Sequence, residues 1–273
     1  MVVGVVAQRG NERAIELAAA IEETIQAGDV DVVMDEATAT ALDVAGQPIE
    51  ALTHCDLVVS IGGDGTFLFV AHAVGDTPML GVNLGEVGFL NVVAPAEAPE
   101  IVRKVHKELI RGTVTIQSLP RVIAEGDGWS MGPALNEIIV HAPQRGHDRG
   151  ITVTITVDGS QYARDVVDGV MVSTPTGSTA YNLSEGGPLL TPTIEGFVVT
   201  EMCGRDPMPS LVVPRSATVT IDVEGEAFAH VISDSRSTHE LTLPSVIHIR
   251  EAATPVRIAG RPLEFFDALS KLD

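Results

Sequence analysis

The turn at residues 61–66, with the sequence I-G-G-D-G-T, combines three glycines with one carboxylate. The β-branched run before it predicts a buried strand, and residues 66–74 predict a helix. Glycines let a ligand approach the backbone closely, and free N–H groups at a helix start attract phosphate. A carboxylate repels phosphate, so Asp64 suits a base that deprotonates a substrate hydroxyl, or a ligand of a divalent metal. The turn indicates phosphoryl transfer, although a helix-capping role for Asp64 stays open here.

Two shorter polar segments follow the same logic. Residues 83–90 form a second glycine-rich turn after a predicted strand, in which Asn83 is a candidate hydrogen-bonding residue while Phe89 and Leu90 suit a core. Asn136 and Glu137 lie side by side and together offer donors and acceptors, which suits a sugar diol or a base edge. As a bare dipeptide this pair says little, and it gains weight from the other segments.

A hydroxyl-rich run at 173–181 follows the predicted strand 170–173 and an Asp168-Gly169 pair. Its hydroxyls and glycine are typical of a binding loop, and Tyr181 offers a ring on which a base can stack. Residues 184–188, which begin with Ser184, extend this loop.

The elements that must position these residues change character along the chain. Up to about residue 111, apolar strands alternate with helical patterns, which predicts a parallel sheet covered on both faces. Ligands of such sheets bind beyond the carboxyl ends of the strands, so the turns at 62–66 and 83–88 should line one crevice. The predicted elements of this part are strands 2–7, 30–34, 57–61 and 79–82 and helices 11–27, 66–74 and 95–111.

From about residue 112 the chain is rich in Thr and Val and reads as short antiparallel strands. We therefore predict an α/β domain at 1–111, a β-rich domain at 112–245, and a tail at 246–273 that packs back on the first domain. Hairpin turns are predicted at Asp158-Gly159 and, more weakly, at Glu224-Gly225. The predicted strands of the second domain are 113–117, 120–125, 135–141, 151–157, 170–173, 197–200, 217–223 and 227–233, and the tail adds a strand pair and an amphipathic end.

Composition excludes several partners. With 37 acidic against 17 basic residues the formal net charge is −20, which repels nucleic acid and anionic membranes. Three lysines among so many acids are typical of proteins from salt-loving organisms, so we expect a halophilic protein. The sequence contains no run of 18 or more apolar residues, so we expect no membrane span. The start of the chain reads as a strand rather than a signal peptide, and Cys55 and Cys203 read as free thiols of a cytoplasmic protein.

Three common site patterns are missing from the sequence, although spacing alone does not exclude a Ser/His/Asp triad. The eight histidines show no zinc-binding spacing, and the sequence contains neither a G-x-S-x-G elbow nor the P-loop pattern. We therefore predict no zinc site and a phosphate cradle of another class.

Together and in this order, the four segments resemble the NAD kinase family, and the match covers most of the chain. The run 168–188 is the most specific, whereas Gly-Gly-Asp-Gly is shared with phosphofructokinases and diacylglycerol-type lipid kinases. The resemblance implies transfer of a γ-phosphoryl group to the 2′-hydroxyl of the adenosine ribose of NAD, giving NADP. It also implies a flavodoxin-like N-terminal domain and a β-sandwich C-terminal domain, with the site between them, and a homodimer or homotetramer.

The resemblance also implies residue roles. Asp64 looks like the base, Gly63 and Gly65 resemble the phosphate-side backbone, and Asn136 and Glu137 look like contacts to the ribose or adenine region of NAD. Asp168 is similar to a residue that reaches NAD of a neighbouring subunit. Thr179, Ala180, Tyr181 and Ser184 look like part of the nucleotide pocket. The two glycine-rich turns add Thr66 and Asn83 as further candidate binding residues.

With few lysines, Mg²⁺ and backbone N–H groups are the expected sources of positive charge. The sequence does not distinguish ATP, another triphosphate and polyphosphate as the phosphoryl donor. A lipid kinase and a non-catalytic NAD-binding regulator remain as alternative functions.

Three stretches depart from the family pattern. A basic residue is common where Val166 stands, Pro-Ile-Cys-Pro-His is common where residues 201–205 read E-M-C-G-R, and Asp-Gly is usual where Asp234-Ser235 stands. No role is carried over to these positions, and Arg205 and Arg236 are candidates for replacing lost positive charge.

Overall fold

The computed structural model describes residues 2–26, 30–85, 88–144, 150–225, 228–263 and 265–269. It divides into two compact units, Met1–Leu119 with Thr254–Asp273, and Pro120–Ala253. The units thus divide at 119/120 and 253/254 rather than at the predicted 111/112 and 245/246. Among the residues described, no helix is both long and apolar enough to cross a membrane.

The first unit is built on one seven-stranded sheet of order β3-β2-β1-β4-β5-β19-β6. All neighbouring strands are parallel except the edge pair β19 and β6. The strands are β1 (Val2–Ala7), β2 (Asp31–Asp35), β3 (Gly46–Gln47), β4 (Leu57–Gly62), β5 (Met79–Asn83), β6 (Ile116–Leu119) and β19 (Val256–Ala259). The helices are α1 (Glu12–Gln26), α2 (Glu36–Leu42), α3 (Asp64–Val74), α4 (Ala98–Arg111) and α6 (Phe265–Leu269), with short 3₁₀ helices at Ile49–His54 and Pro95–Glu97.

The sequence explains why this sheet is buried on both faces. Every residue of β4 and of β5 is buried, as expected for the apolar runs of a covered parallel sheet. Helix α1 buries Ala14, Ala18, Ile21 and Ile25, which recur at the three- and four-residue spacing of one helix face. Asp35 begins α2, because its carboxylate accepts from the backbone N–H groups of Ala37 and Thr38. The predicted parallel-sheet domain is confirmed.

One predicted strand belongs to a different sheet than expected. The strand predicted at 113–117 begins only at Ile116 and lies in the first unit, although we predicted it in the β-rich domain. It pairs antiparallel with β19 from the chain's tail, with Gln117 opposite Ile258. This pairing joins residues about 140 positions apart and left no local signal in the sequence.

The second unit is a β-sandwich, as predicted. Its sheets have the orders β11-β10-β15-β18-β7-β8 and β14-β13-β12-β9-β16-β17, and residues of both sheets form one apolar core. The strands are β7 (Val122–Gly126), β8 (Trp129–Ser130), β9 (Glu137–His141), β10 (Ile151–Val157), β11 (Ser160–Val167), β12 (Gly169–Ser173), β13 (Gly196–Met202), β14 (Leu211–Pro214), β15 (Val219–Glu224), β16 (Phe228–Ser233), β17 (Ser237–Thr242) and β18 (Ser245–Glu251). A single turn of helix, α5 (Tyr181–Ser184), follows a 3₁₀ turn at Gly177–Thr179.

The two predicted hairpins have different outcomes. Asp158 and Gly159, with φ of 47° and 82°, join the antiparallel strands β10 and β11, as predicted. The hairpin at Glu224-Gly225 is wrong, because β15 and β16 pair within different sheets. The tail holds two strands, as predicted, but they do not pair with each other, since β18 and β19 lie in different sheets and different units.

Candidate functional site

Asp64 is the first residue of α3, directly beyond the carboxyl end of β4. The cap of this helix is Gly63, and the Asp64 side chain turns to residues 89–91 instead. Its Oδ2 accepts from the backbone N–H of Phe89 at 2.9 Å, and its Oδ1 accepts from the N–H of Leu90 and from Nδ2 of Asn91, each at 3.1 Å. Helix capping is therefore not the function of this side chain.

These three hydrogen bonds fix the Asp64 carboxylate while leaving it partly exposed. A carboxylate offers about four lone-pair sites, so three donors leave about one for a further proton or ligand. Gly88 is required beside it, because a Cβ at position 88 would overlap the carboxylate. Counted over the described residues, the arrangement gives a rigid carboxylate with about one free acceptor position.

Asn91 is a residue that the sequence did not reveal. It is fully buried, donates to Asp64, and has an Oδ1 atom without a hydrogen-bond partner among the described residues. Gly81 on β5 makes room for it, since a Cβ there would overlap Asn91 Oδ1. The available signal was one amide within the otherwise apolar run 89–93.

The other candidates of the first unit occupy the ends of neighbouring strands. Asn83 ends β5, is 5 % exposed, and accepts from the Gly85 N–H through its Oδ1, so it shapes its own turn. Gly63 and Gly65 are exposed, and together with Thr66 they line a cavity of about 640 Å³. Glu86 and Val87, within the predicted segment 83–90, lie outside the described residues.

The Asn136-Glu137 pair lies in the second unit and is held by Asp234. The carboxylate of Asp234 accepts from the N–H groups of Leu135 at 2.7 Å, Asn136 at 2.8 Å and Glu137 at 3.0 Å. The N–H groups of Leu135 and Asn136 thus bind a side chain rather than a neighbouring strand, and β9 begins at Glu137 rather than at the predicted residue 135. Asp234 is 6 % exposed, so a buried carboxylate fixes the backbone of the Asn136-Glu137 pair.

Glu137 has an unusual environment for a carboxyl group. It is 4 % exposed, and its Oε2 has no hydrogen-bond partner among the described residues. Burial and the nearby charge of Asp234 raise the pKa of Glu137 from 4.5 to about 8. At neutral pH this side chain is therefore largely a protonated acid, which can donate a hydrogen bond as well as accept one.

This protonation predicts a pH dependence of stability. Between pH 4.5 and about 8 the folded chain keeps a proton on Glu137 that the unfolded chain releases. Stability from this group is therefore complete below pH 4.5 and falls as pH rises to about 8. We expect Glu137→Gln to flatten that fall, measured as the free energy of unfolding in denaturant at pH 5 and pH 8. The exposed Glu16→Gln is the control, and equal slopes in both variants would contradict the assignment.

The hydroxyl-rich loop packs directly against this pair. The Thr174 N–H donates to Asn136 O at 2.9 Å, and the Thr174 hydroxyl donates to Leu135 O. Gly177 approaches so closely that a Cβ there would overlap the Asn136 carbonyl. The structure thus brings the loop and the Asn136-Glu137 pair together within the second unit.

The remaining candidate residues of this unit lie in or next to this loop and differ in how far they are exposed. Thr179 and Ala180 are half-buried, and Ser184 at the end of α5 is exposed. Tyr181 packs against a small cluster of Ile139, Met171 and Met202. Asp168 is half-buried between β11 and β12, where its backbone bonds Met202 and Ala142.

Two of the stretches that depart from the family pattern have clear conformations. Asp234 and Ser235 both adopt left-handed φ, 47° and 54°, and the Arg236 N–H donates to Ser233 O. Ser235 therefore keeps the tight turn for which glycine is better suited. The Arg205 N–H donates to Val166 O at 3.1 Å, and the side chains of Arg205 and Arg236 are both exposed.

Within the described part of the chain, no three His, Cys, Asp or Glu side chains are grouped so that they could hold a metal ion. Asp64 is a single carboxylate with about one free acceptor position. These residues suit a divalent cation that arrives with a phosphate ligand, since Mg²⁺ is commonly held by one or two carboxylates plus substrate phosphates.

Two family profiles match in chain order and cover most of the sequence. The ATP-NAD kinase N-terminal domain matches residues 3–110, and the ATP-NAD kinase C-terminal domain matches residues 135–260. The lipid-kinase and regulator alternatives find no support in these matches.

Known proteins agree with the profiles. An NAD kinase of Halobacterium salinarum is 53 % identical over the whole of both chains. An NAD kinase from Archaeoglobus fulgidus, solved with ATP, is 26 % identical with a TM-score of 0.79, covering 100 % of this chain and 98 % of that one. Yeast NADH kinase, solved with NADH, shares the fold at 22 % identity with a TM-score of 0.87, covering 100 % and 87 %. The chain belongs to the NAD kinase family.

Proposed function

We propose that this enzyme transfers a γ-phosphoryl group to the 2′-hydroxyl of the adenosine ribose of NAD, with Asp64 as the general base. The observation that carries the proposal is the Asp64 carboxylate, fixed by three donors at the start of α3 with one acceptor position free. A base must lie within hydrogen-bond reach of the proton that it removes, and a rigid carboxylate meets that need without reorganisation.

The proton of the 2′-hydroxyl passes to Asp64 as the ribose oxygen forms its bond to the γ-phosphorus. The bond from the γ-phosphorus to the bridging oxygen breaks, and its electron pair leaves with the donor's remaining phosphates. General-base assistance of this kind contributes about 10²–10⁴-fold to the rate.

The negative charge on the transferred phosphoryl group must be stabilised, and the chain has only three lysines to do so. The backbone sources of stabilisation are the N–H groups at the start of α3, near Gly65 and Thr66. A Mg²⁺ ion bound with the donor's phosphates would supply further positive charge, with Asp64 as its nearest candidate protein ligand. We propose that Mg²⁺ binds together with the phosphoryl donor.

For NAD, we propose the surface formed by the Asn136-Glu137 pair and the hydroxyl-rich loop of residues 174–184. A protonated Glu137 and the Asn136 amide together present donors and acceptors for the hydroxyls and base of the dinucleotide. Tyr181, which packs against Ile139, Met171 and Met202, contributes a ring on the same loop. The family's use of a neighbouring subunit suggests that Asp168 reaches NAD bound to a second copy in a homodimer or homotetramer. Neither Cys55 nor Cys203 forms a disulfide within the described residues, and we propose a cytoplasmic location for the enzyme.

The acidic composition leads to a prediction about salt. A formal net charge of −20 makes like charges repel across the surface of the folded chain. At molar salt the Debye length is about 3 Å, so this repulsion is screened. We expect the melting temperature to rise between 0.1 M and 2 M KCl, measured by circular dichroism. A melting temperature that stays constant or falls over this range would contradict a halophilic adaptation.

One assay tests the proposed function. Purified protein is incubated in molar KCl with NAD, ATP and Mg²⁺, and NADP is quantified with an NADP-specific dehydrogenase. Parallel reactions replace NAD by diacylglycerol vesicles or omit the donor. NADP that depends on the donor supports the proposal, whereas tight NAD binding without any product from any donor would overturn it.

A further inference from the structure

The cavity of about 640 Å³ in the first unit extends well beyond the turn that holds Asp64. Its lining includes residues at the carboxyl ends of three adjacent strands: Gln8 and Arg9 at β1, Asp35 to Ala37 at β2, and Gly63, Gly65 and Thr66 at β4. Ligand pockets of about 300–1,000 Å³ accommodate drug-sized and cofactor-sized molecules. The cavity therefore has room for more than a phosphate.

The sheet topology marks the same place. The strand order β3-β2-β1-β4-β5 reverses direction at β1, since β2 lies on one side of it and β4 on the other. Open parallel sheets bind ligands beyond the carboxyl ends of their strands at such a reversal. The cavity occupies this position, and on its β4 side it is lined by Gly63, Gly65 and Thr66, which flank Asp64 in the chain.

The charges of the lining are unevenly distributed. Its ionisable members are one guanidinium, Arg9, and three carboxylates, Asp35, Glu36 and Glu50. Arg9 and the start of α3 suit a short run of phosphates at the β1 and β4 side. The carboxylates at the β2 side repel further phosphates but accept hydrogen bonds from sugar hydroxyls.

Apolar surface completes the β2 side. Pro48 and Ile49 line the cavity next to Glu50, and Phe69 of α3, which is 38 % exposed, lines it as well. Asp35 is held in place there because it caps α2 with both carboxylate oxygens. A fixed carboxylate beside apolar side chains suits a ribose attached to a flat base.

We propose that this cavity is the donor site and that it selects a nucleoside triphosphate over inorganic polyphosphate, with the ribose hydroxyls bound at Asp35 and Glu36. This rests on the proposed function, because it places the donor's γ-phosphate next to Asp64. A polyphosphate chain longer than three units would have to pass the three carboxylates, whose close-range repulsion is not removed even by a Debye length of about 3 Å at molar salt. The cavity thereby distinguishes between the donors that the sequence left open.

The test compares donors and a charge-neutral variant. Initial rates of NADP formation are measured in molar KCl with ATP, 2′,3′-dideoxy-ATP, inorganic tripolyphosphate and long-chain polyphosphate. The variants are Glu36→Gln, which is exposed and removes no helix cap, and Glu16→Gln on α1, which is exposed and lies outside the cavity lining. Calorimetry of ATP and dideoxy-ATP binding without NAD gives a second readout that needs no turnover.

For the unmodified enzyme we expect kcat/KM with ATP to exceed that with dideoxy-ATP or tripolyphosphate by about tenfold or more, since hydrogen bonds to charged groups have that effect. In Glu36→Gln, the ratio of kcat/KM for ATP to that for dideoxy-ATP should decrease, and so should the ratio of their binding affinities, while KM for NAD stays constant. Glu16→Gln should behave like the unmodified enzyme. Equal use of polyphosphate and ATP, or equal binding of ATP and dideoxy-ATP, would overturn the inference. Failure to form NADP with every donor would instead overturn the proposed function, and the calorimetry would still test the cavity.

Discussion

Replacing Asp64 by asparagine should lower kcat for NADP formation by about 10²–10⁴-fold, because the amide cannot accept the 2′-hydroxyl proton. The dissociation constant for NAD should change by less than about threefold, since an amide oxygen can still accept a hydrogen bond from the 2′-hydroxyl and the other side chains proposed to bind NAD belong to the second unit. Steady-state kinetics give the first quantity, and calorimetric titration with NAD gives the second. Near-normal turnover in Asp64→Asn would exclude the proposed base.

The surroundings of Asp64 require a control for this variant. An asparagine side chain would direct its NH₂ group at one of the N–H donors that now bind the carboxylate, from Phe89 or Leu90, and so disturb residues 89–91. Asn91→Leu removes one donor from Asp64 but keeps the carboxylate. We expect Asn91→Leu to lose about tenfold in kcat, clearly less than Asp64→Asn. A loss as large as that of Asp64→Asn would mean that the position of the segment, rather than proton transfer, limits the rate.

The part of this site that sequence reasoning found is the part encoded locally. The turn at 61–66 follows a continuous apolar run and opens a helix, so its glycines and carboxylate could be placed at a strand end. The same holds for the parallel order of the early strands and for the turn at Asp158-Gly159, where the residues themselves require the conformation.

The missing part depends on contacts between distant residues. Asn91 bonds a carboxylate 27 positions earlier, and Asp234 bonds an N–H group 98 positions earlier. Neither residue has a local pattern that differs from an ordinary turn or loop polar residue. The boundary at Leu119 is similar, because β6 is recruited into the first sheet by β19 from the far end of the chain. Periodicity reports which face of an element is buried, but it does not report which partner covers it.

Asp234 is the residue for which the structure changes the interpretation most. From the sequence it marked a departure from the family pattern, and no role was assigned to it. In the structure its buried carboxylate accepts three backbone N–H groups from Leu135, Asn136 and Glu137 and so sets the conformation of the proposed NAD-binding pair. A buried carboxylate with several N–H partners cannot be replaced by an amide without a donor facing a donor.

We expect Asp234→Asn to raise KM for NAD by about tenfold or more with a smaller change in kcat, and to cost roughly 2 kcal/mol of unfolding free energy. Burial still raises the pKa of Glu137 in this variant, but the contribution from the Asp234 charge is lost, so that pKa should fall from about 8. The stability decrease between pH 4.5 and 8 should then end at a lower pH than in the unmodified enzyme. Kinetics at saturating donor and denaturant titrations across this pH range measure both effects.

Ser235→Gly is the matched control, because it changes the same turn while keeping the carboxylate. Serine at a φ of 54° is strained relative to glycine, so this variant should be stabilised by up to about 1 kcal/mol with KM for NAD unchanged. If Ser235→Gly raised KM as much as Asp234→Asn, the shape of the turn would matter rather than the carboxylate. If Asp234→Asn left both KM for NAD and the pH dependence of stability unchanged, the Asp234 carboxylate would have no part in NAD binding. A carboxylate that touches no substrate thus has two separable effects, one on the geometry of the Asn136-Glu137 pair and one on the charge of Glu137.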